Sequence, residues 1–278
     1  MVEVNGVDLC VETFGDDRDP VVLLIMGAAA SMLWWKDEFC ERLAAGGRFV
    51  IRYDHRDTGR SVTYPPGAPG YTGDDLVADA AGVLDALGVT SAHIVGMSMG
   101  GGIAQHLALD YPDRILSLTM LSTSPGSGSD LPPMSDELRT YFSAPPPEPD
   151  WSDREAVIDY LVDDERAYTA RSRAFDDAAR RELAGRNFDR SVDLAASMTN
   201  HFLLDGSGSS RERLGEIRVP TLILHGTEDP LFPIGHAHAL EREIPDARLV
   251  PLEQTGHELP RATWDVVVPA ILEHTSTR

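Results

Sequence analysis

The sequence predicts an α/β fold, a mostly parallel twisted sheet flanked by helices, with a helical cap inserted late in the chain. Two observations predict it. Short apolar runs alternate with longer amphipathic stretches up to Leu121, and the alternation resumes after Pro220. Such alternation lays strands parallel through right-handed crossovers. Between the halves, from Ser124 to about Gly215, no run reads as a buried strand, and Gly, Ser and Pro crowd both ends. One core of residues 1–123 and 216–278, interrupted by a cap over 124–215, accounts for both. A chain of 278 residues buries such a core without disulfides or metals.

The elements follow in order. Residues 2–4 and 7–13 alternate around Asn5-Gly6, a hairpin turn pair. Residues 21–26 form a continuous apolar run closed by Gly27, which suits a strand buried on both faces. A helix is expected over 34–45, a strand over 49–53, a helix over 74–87 stopped by Gly88, and a strand over 92–95. A glycine-rich turn then leads to a helix ending at Asp110, and 115–121 is again a strand. In the insert, Ser152 with Glu155 reads as a capping box opening a helix through Val162. Further helices are expected over 176–184 and 189–202. After Pro220 come a strand over 221–224, a helix over 236–243, a strand over 248–252 and a helix over 262–274.

Composition excludes several function classes. The formal charge is −21, and Lys36 is the only lysine. So acidic a surface repels phosphate backbones and anionic lipid, which argues against nucleic acid and membrane as partners. The amino terminus shows no basic segment followed by an apolar run, so no signal peptide is read and a cytoplasmic location is the default expectation. Cys10 and Cys40 have neither metal-ligand spacing nor the density of a secreted scaffold, and read as buried free thiols. With no dinucleotide glycine pattern, P-loop or metal cluster, no cofactor is expected.

The chemistry centres on Gly96-Met97-Ser98-Met99-Gly100. G-x-S-x-G carries meaning where a strand runs into it and a helix leaves it, because the serine then sits on a sharp, strained turn with small neighbours. Both conditions hold, and Gly101 and Gly102 add room. A serine hydroxyl is a poor nucleophile near neutral pH, so it needs a base, and the base needs an orienting acid. In this setting the order is Ser, then Asp or Glu, then His. Of nine histidines, His257 alone follows a late strand and precedes the last helix. His106, His225, His236, His238 and His274 read as structural. The loop after strand 221–224 holds Glu228 and Asp229, and Asp229 is the expected acid. The loop after the preceding strand, Ser122-Thr123-Ser124, carries no carboxylate.

The oxyanion formed on attack needs preorganised donors, each worth roughly 3 kcal/mol. The backbone amide of Met99 and that of Ala28, in Met26-Gly27-Ala28-Ala29-Ala30, are the candidates. The charged run Asp54-His55-Arg56-Asp57-Thr58-Gly59-Arg60-Ser61 lies at the same sheet edge, where its charges are expected to brace loops.

Leu24-Ile25-Met26-Gly27, the stretch from Ile51 to Ser61 and Gly96-Met97-Ser98-Met99-Gly100 resemble the α/β-hydrolase superfamily, over nearly the whole chain outside the insert. Within it they are similar to the aclacinomycin methylesterases and related actinobacterial serine esterases. The resemblance implies an α/β-hydrolase fold and cleavage of a methyl ester from a polyketide-like molecule. Many superfamily members carry His-Gly at the oxyanion turn; Met26-Gly27 departs from that, as the methylesterase group does.

The expected function is carboxylic ester hydrolysis of a small hydrophobic molecule through an acyl-enzyme. Phe142, Trp151, Met198 and Phe202 are candidate apolar substrate-binding walls, though each also fits core packing. A lactonase, a C–C bond hydrolase, a thioesterase or a cofactor-free perhydrolase or haloperoxidase would use the same three residues. An aspartate-nucleophile reaction is disfavoured by Ser98. A binding module that holds a small molecule without turnover is the reading from a different class.

Overall fold

The computed structural model describes residues 1–206 and 210–276. The amino terminus is a hairpin of β1 (Val2–Val4) and β2 (Val7–Leu9), turning at Asn5 and Gly6 with φ of 47° and 75°. The expected strand over 7–13 breaks at Cys10, and β3 (Val11–Phe14) belongs to a different sheet. At the break, the Cys10 amide donates to Ser61 Oγ at 2.9 Å and its carbonyl accepts from the Asp54 amide, so the residue is claimed by the loop opposite.

The main sheet adds β4 (Val21–Ile25), β5 (Phe49–Tyr53), β6 (Ala92–Met97), β7 (Ile115–Leu121), β8 (Thr221–Gly226) and β9 (Arg248–Leu252). Its spatial order is β3-β5-β4-β6-β7-β8-β9, with β3 antiparallel to β5 and every other pair parallel. The central strands are buried on both faces, as their unbroken apolar runs require.

Helices α1 (Asp37–Ala45) and α9 (Trp264–His274) cover one face, where Trp35, Phe39 and Trp264 meet Val22, Leu24 and Leu222. Helices α2 (Gly73–Ala86), α3 (Met99–Asp110) and α8 (Gly235–Glu243) cover the other. The helix expected over 34–45 starts at Asp37, because Trp35 and Lys36 take non-helical ψ values of 81° and 146° after a short 3-10 turn over Met32–Trp34. Thr72 and Asp75 form a reciprocal capping box that begins α2.

Between β7 and β8 the described residues hold helices and loops. Four α-helices are α4 (Asp136–Ser143), α5 (Arg154–Tyr168), α6 (Asp177–Arg190) and α7 (Leu194–Asn200). They carry their own apolar cluster of Val157, Ile158, Leu161, Val162, Ala184 and Leu194. The capping box expected at Ser152 is not formed. Asp153 caps α5 through the amides of Glu155 and Ala156, while the Ser152 hydroxyl donates back to Asp150 at 2.7 Å. The helix also runs six residues past Val162, to Tyr168. No helix among the described residues is long and apolar enough to cross a membrane.

Candidate active site

Ser98 stands between β6 and α3 with φ 53° and ψ −119°, a left-handed conformation that costs a non-glycine residue energy. The packing that enforces it explains its neighbours. A Cβ on Gly96 would overlap the Gly100 carbonyl, and one on Gly100 would overlap the carbonyls of Ile25 and Met26. The Ser98 amide donates to the Leu121 carbonyl at 3.0 Å, and its own carbonyl accepts from Thr123 Oγ1 at 2.8 Å. The turn is therefore bolted to the ends of β4 and β7, and Ser98 Oγ projects from the sheet's carboxyl edge.

His257 Nε2 lies 2.9 Å from Ser98 Oγ, and His257 Nδ1 lies 2.8 Å from Asp229 Oδ2. With Nδ1–H donating to the carboxylate, Nε2 is left as acceptor for the serine proton. The other Asp229 oxygen accepts from the amides of Leu231 and Phe232 at 2.9 and 2.8 Å, which fixes the carboxylate in one orientation. Burial opposes the Asp229 charge, but His257, His225 and the Phe232 amide outweigh it, so the carboxyl titrates below its usual range. Glu228, one residue earlier, turns away and accepts from the amide and hydroxyl of Ser172.

Both oxyanion candidates lie on segments next to Ser98. Met99 is the first residue of α3, so its N–H has no intrahelical partner. A Cβ on Gly27 would lie 3.2 Å from Ser98 Cβ and 3.7 Å from its Oγ, which puts the Gly27-Ala28 turn against the serine. That turn is held from three sides. His55 Nε2 meets the Met26 carbonyl at 3.0 Å, the Ala29 amide donates to His201 Nδ1 at 3.0 Å, and the Met32 amide donates to Asp54 at 2.8 Å. Ala29 itself is left-handed, with φ 60°.

His201, at the end of α7, carries no sequence signal. Nothing in its local pattern distinguishes it, because its partner lies 172 residues away. Its Nε2–H donates to the Arg56 carbonyl at 2.9 Å, leaving Nδ1 to accept from Ala29. Burial, reinforced by repulsion from His55, pushes its pKa down to about 3. An unfolded histidine takes up a proton near 6.5, so above that pH the two states match. As pH falls from 6.5 towards 3, the unfolded chain gains a proton that the fold refuses, and stability declines. The expected loss at pH 5 from this residue is about 2 kcal/mol. Urea midpoints at neutral pH and at pH 5 check it, and His201→Gln gives the shallower decline.

The charged run braces loops, as expected. Asp54 accepts from the amides of Met32 and Arg60 and from Arg190 of α6. Arg56 pairs with Asp79 at 2.7 Å, and Asp57 accepts from Tyr71 and Asn200. These groups are buried, and the 54–64 loop is the platform on which α6 and α7 rest. Other histidines have structural partners: His93 bonds Ser117, His225 bonds the Phe232 carbonyl, His236 bonds Ser124 and the Pro132 carbonyl, and His274 bonds the Leu118 carbonyl.

The segment between β7 and β8 also holds the base. The His257 amide donates to the Tyr168 carbonyl at 2.8 Å, and Arg180 of α6 joins Glu165 to Glu258, the residue after the base. Of the candidate walls, Phe142 stands next to Tyr168, with ring centroids 6.2 Å apart, and Tyr168 stands 6.1 Å from the His257 ring. Trp151 stacks edge-on with Tyr160 at 5.6 Å and, like Met198, packs on the α5–α6 apolar cluster. Phe202 is 65% exposed. Beside Met99 a largely apolar cavity of about 270 Å³ opens between α3 and the 201–204 turn, lined by Ile103, His106, Pro125, His201 and Leu204 among others.

Comparison with known proteins agrees with this architecture. The chain is 37% identical to the rhodomycin D methylesterase DauP of Streptomyces sp. (strain C5) and 36% identical to DnrP of Streptomyces peucetius. Each alignment covers 99% of this chain and 97% of the relative. Among solved structures, the meta-cleavage product hydrolase of Pseudomonas fluorescens IP01 superimposes with a TM-score of 0.76 at 23% identity, covering 99% of this chain and 96% of that one. The enol-lactonase of Burkholderia xenovorans LB400 gives 0.75 at 22%, covering 98% of each. At those identities the structural matches speak to the fold alone. The sequence pattern of the α/β hydrolase fold family matches residues 20–260, and the chain belongs to that family.

Proposed function

We propose that this chain is a carboxylic ester hydrolase that removes the methyl group from an ester of a polyketide-like or other small hydrophobic acid. The observation that carries the reading is the unbroken relay from Ser98 through His257 to Asp229, at 2.9 and 2.8 Å, on a turn against which the Gly27 turn packs. The choice of a methyl ester leans on the two relatives, which are named for that activity.

Ser98 Oγ attacks the ester carbonyl as its proton passes to His257 Nε2. The carbonyl pair moves onto oxygen, where the amides of Met99 and Ala28 receive it. Collapse of the tetrahedral species expels the alkoxide, which takes the proton from His257 and leaves as methanol. Water then gives its proton to His257 and attacks the acyl-Ser98, and a second collapse returns Ser98 and the free acid. Asp229 keeps the imidazole in the tautomer that can accept and balances the imidazolium charge. Residues 124–215 act as a cap over the core of 1–123 and 216–278; the bonds from Tyr168, Ser172 and Arg180 to the base and acid loops support that division.

A fluorophosphonate probe tests the reading. The expected result is a single adduct on the peptide containing Ser98, together with methanol release from methyl esters of bulky aromatic acids. A folded chain that resists the probe and releases no methanol would be a binding module instead.

A further inference from the structure

Helix α5 is rich in acids, and arginines meet nearly all of them. Glu155 and Asp159 pair with Arg181, Asp163 with Arg166, and Glu165 with Arg180. Asp164 differs. Among the described residues no arginine, lysine or histidine lies within ion-pair distance of it, and its one side-chain hydrogen bond comes from the Tyr141 hydroxyl at 2.9 Å. It is half-buried on the face of α5 that carries Tyr160 one turn before it and Tyr168 one turn after it. Tyr141 and Phe142 approach from α4, and Phe142 meets Tyr168. Burial and then the Asp164 charge push the phenols of Tyr141, Tyr160 and Tyr168 upwards, so all three rings feel this carboxylate. Burial raises the Asp164 pKa as well, as a carboxylate without a counter-ion requires.

One uncompensated carboxylate bonded by a single phenol, with Tyr160 and Tyr168 one turn to either side, is a poor site for a hard metal ion, which takes several oxygens. It suits an organic ammonium group, which donates to the carboxylate while its charge rests against the rings. The site is tied to the chemistry by Tyr168, whose ring stands beside the His257 ring and whose carbonyl holds the His257 amide. We propose that Asp164, with the rings of Tyr141, Tyr160 and Tyr168, binds a protonated amine carried by the acyl part of the substrate; this rests on the esterase reading above. Asp164 is then a specificity-determining residue, and the preferred substrate is an amino ester.

The experiment compares two methyl esters of one aromatic acid, differing only in bearing a primary amine or its N-acetyl derivative, at neutral pH. Wild type is expected to favour the amine at least tenfold in kcat/KM. Asp164→Asn, which keeps an acceptor for Tyr141 but no charge, brings the ratio to about one. Tyr141→Phe, which removes the hydrogen bond and keeps the charge, retains the preference. Equal turnover of both esters by wild type, or an undiminished ratio in Asp164→Asn, overturns the proposal while leaving the esterase reading intact. If neither ester is hydrolysed, the esterase reading fails. Calorimetric binding of benzylammonium then decides the site: equal affinity for wild type and Asp164→Asn overturns it, and at least tenfold weaker binding by the variant upholds it.

Discussion

Replacing Ser98 by alanine lowers kcat for a methyl ester about 10⁶-fold and leaves only the slow turnover that oxyanion donors and binding supply by themselves. The loss is chemical and not structural. What holds residue 98 in place is its main chain, through the Leu121 carbonyl, Thr123 Oγ1 and the Gly101 amide, and alanine keeps all of these. Alanine bears the same left-handed strain at φ 53° that serine does. The thermal midpoint is therefore expected to stay within a few degrees of wild type, and binding of the free acid product to persist. Retention of kcat within tenfold would place the nucleophile elsewhere.

Asp229→Asn lowers kcat about 10⁴-fold with a much smaller change in KM. Its size follows from the two oxygens having different partners. The amides of Leu231 and Phe232 demand an acceptor at Oδ1, so the asparagine carbonyl takes that place. Its NH₂ then faces His257 Nδ1, where a donor already stands. The imidazole relieves that clash by moving its proton to Nε2, the nitrogen that must accept from Ser98. His225 offers no substitute acceptor there, because the ring nitrogen that lies 3.6 Å from Asp229 Oδ2 is Nε2, which donates its proton to the Phe232 carbonyl. Glu228→Gln is the matching control and leaves kcat within a few fold, since Glu228 binds Ser172 and not the imidazole. A drop of comparable size there would identify Glu228 as the working acid.

How much of this was legible in the residues depended on the range of the forces involved. The β4 and β6 runs and the Asn5-Gly6 turn are local signals, and each formed where the pattern put it. The positions of Ser98, Asp229 and His257 could be read because each follows a strand whose end is set by its own sequence. Elements decided by distant partners differ from what their local pattern predicts. Cys10 reads as mid-strand until Ser61 and Asp54 claim its backbone, and Ser152 reads as a cap until Asp153 takes the amides. His201 and Asp164 were invisible for the same reason. One acts on a turn at the opposite end of the chain, and the other is notable only for the arginine it lacks.

At residue 168 two duties fall on different parts of one residue. The main-chain carbonyl holds the His257 amide, and a Cβ on Gly256 would overlap it, so backbone alone keeps the base in register. The side chain has no part in that bond. Mutation at this position can therefore change the surroundings of the His257 ring without releasing its main chain. A transplanted insert, by contrast, must deliver a carbonyl to that point in space before it can deliver anything else. Substrate range in such a protein can drift one side chain at a time, while wholesale exchange of the insert meets a geometric toll.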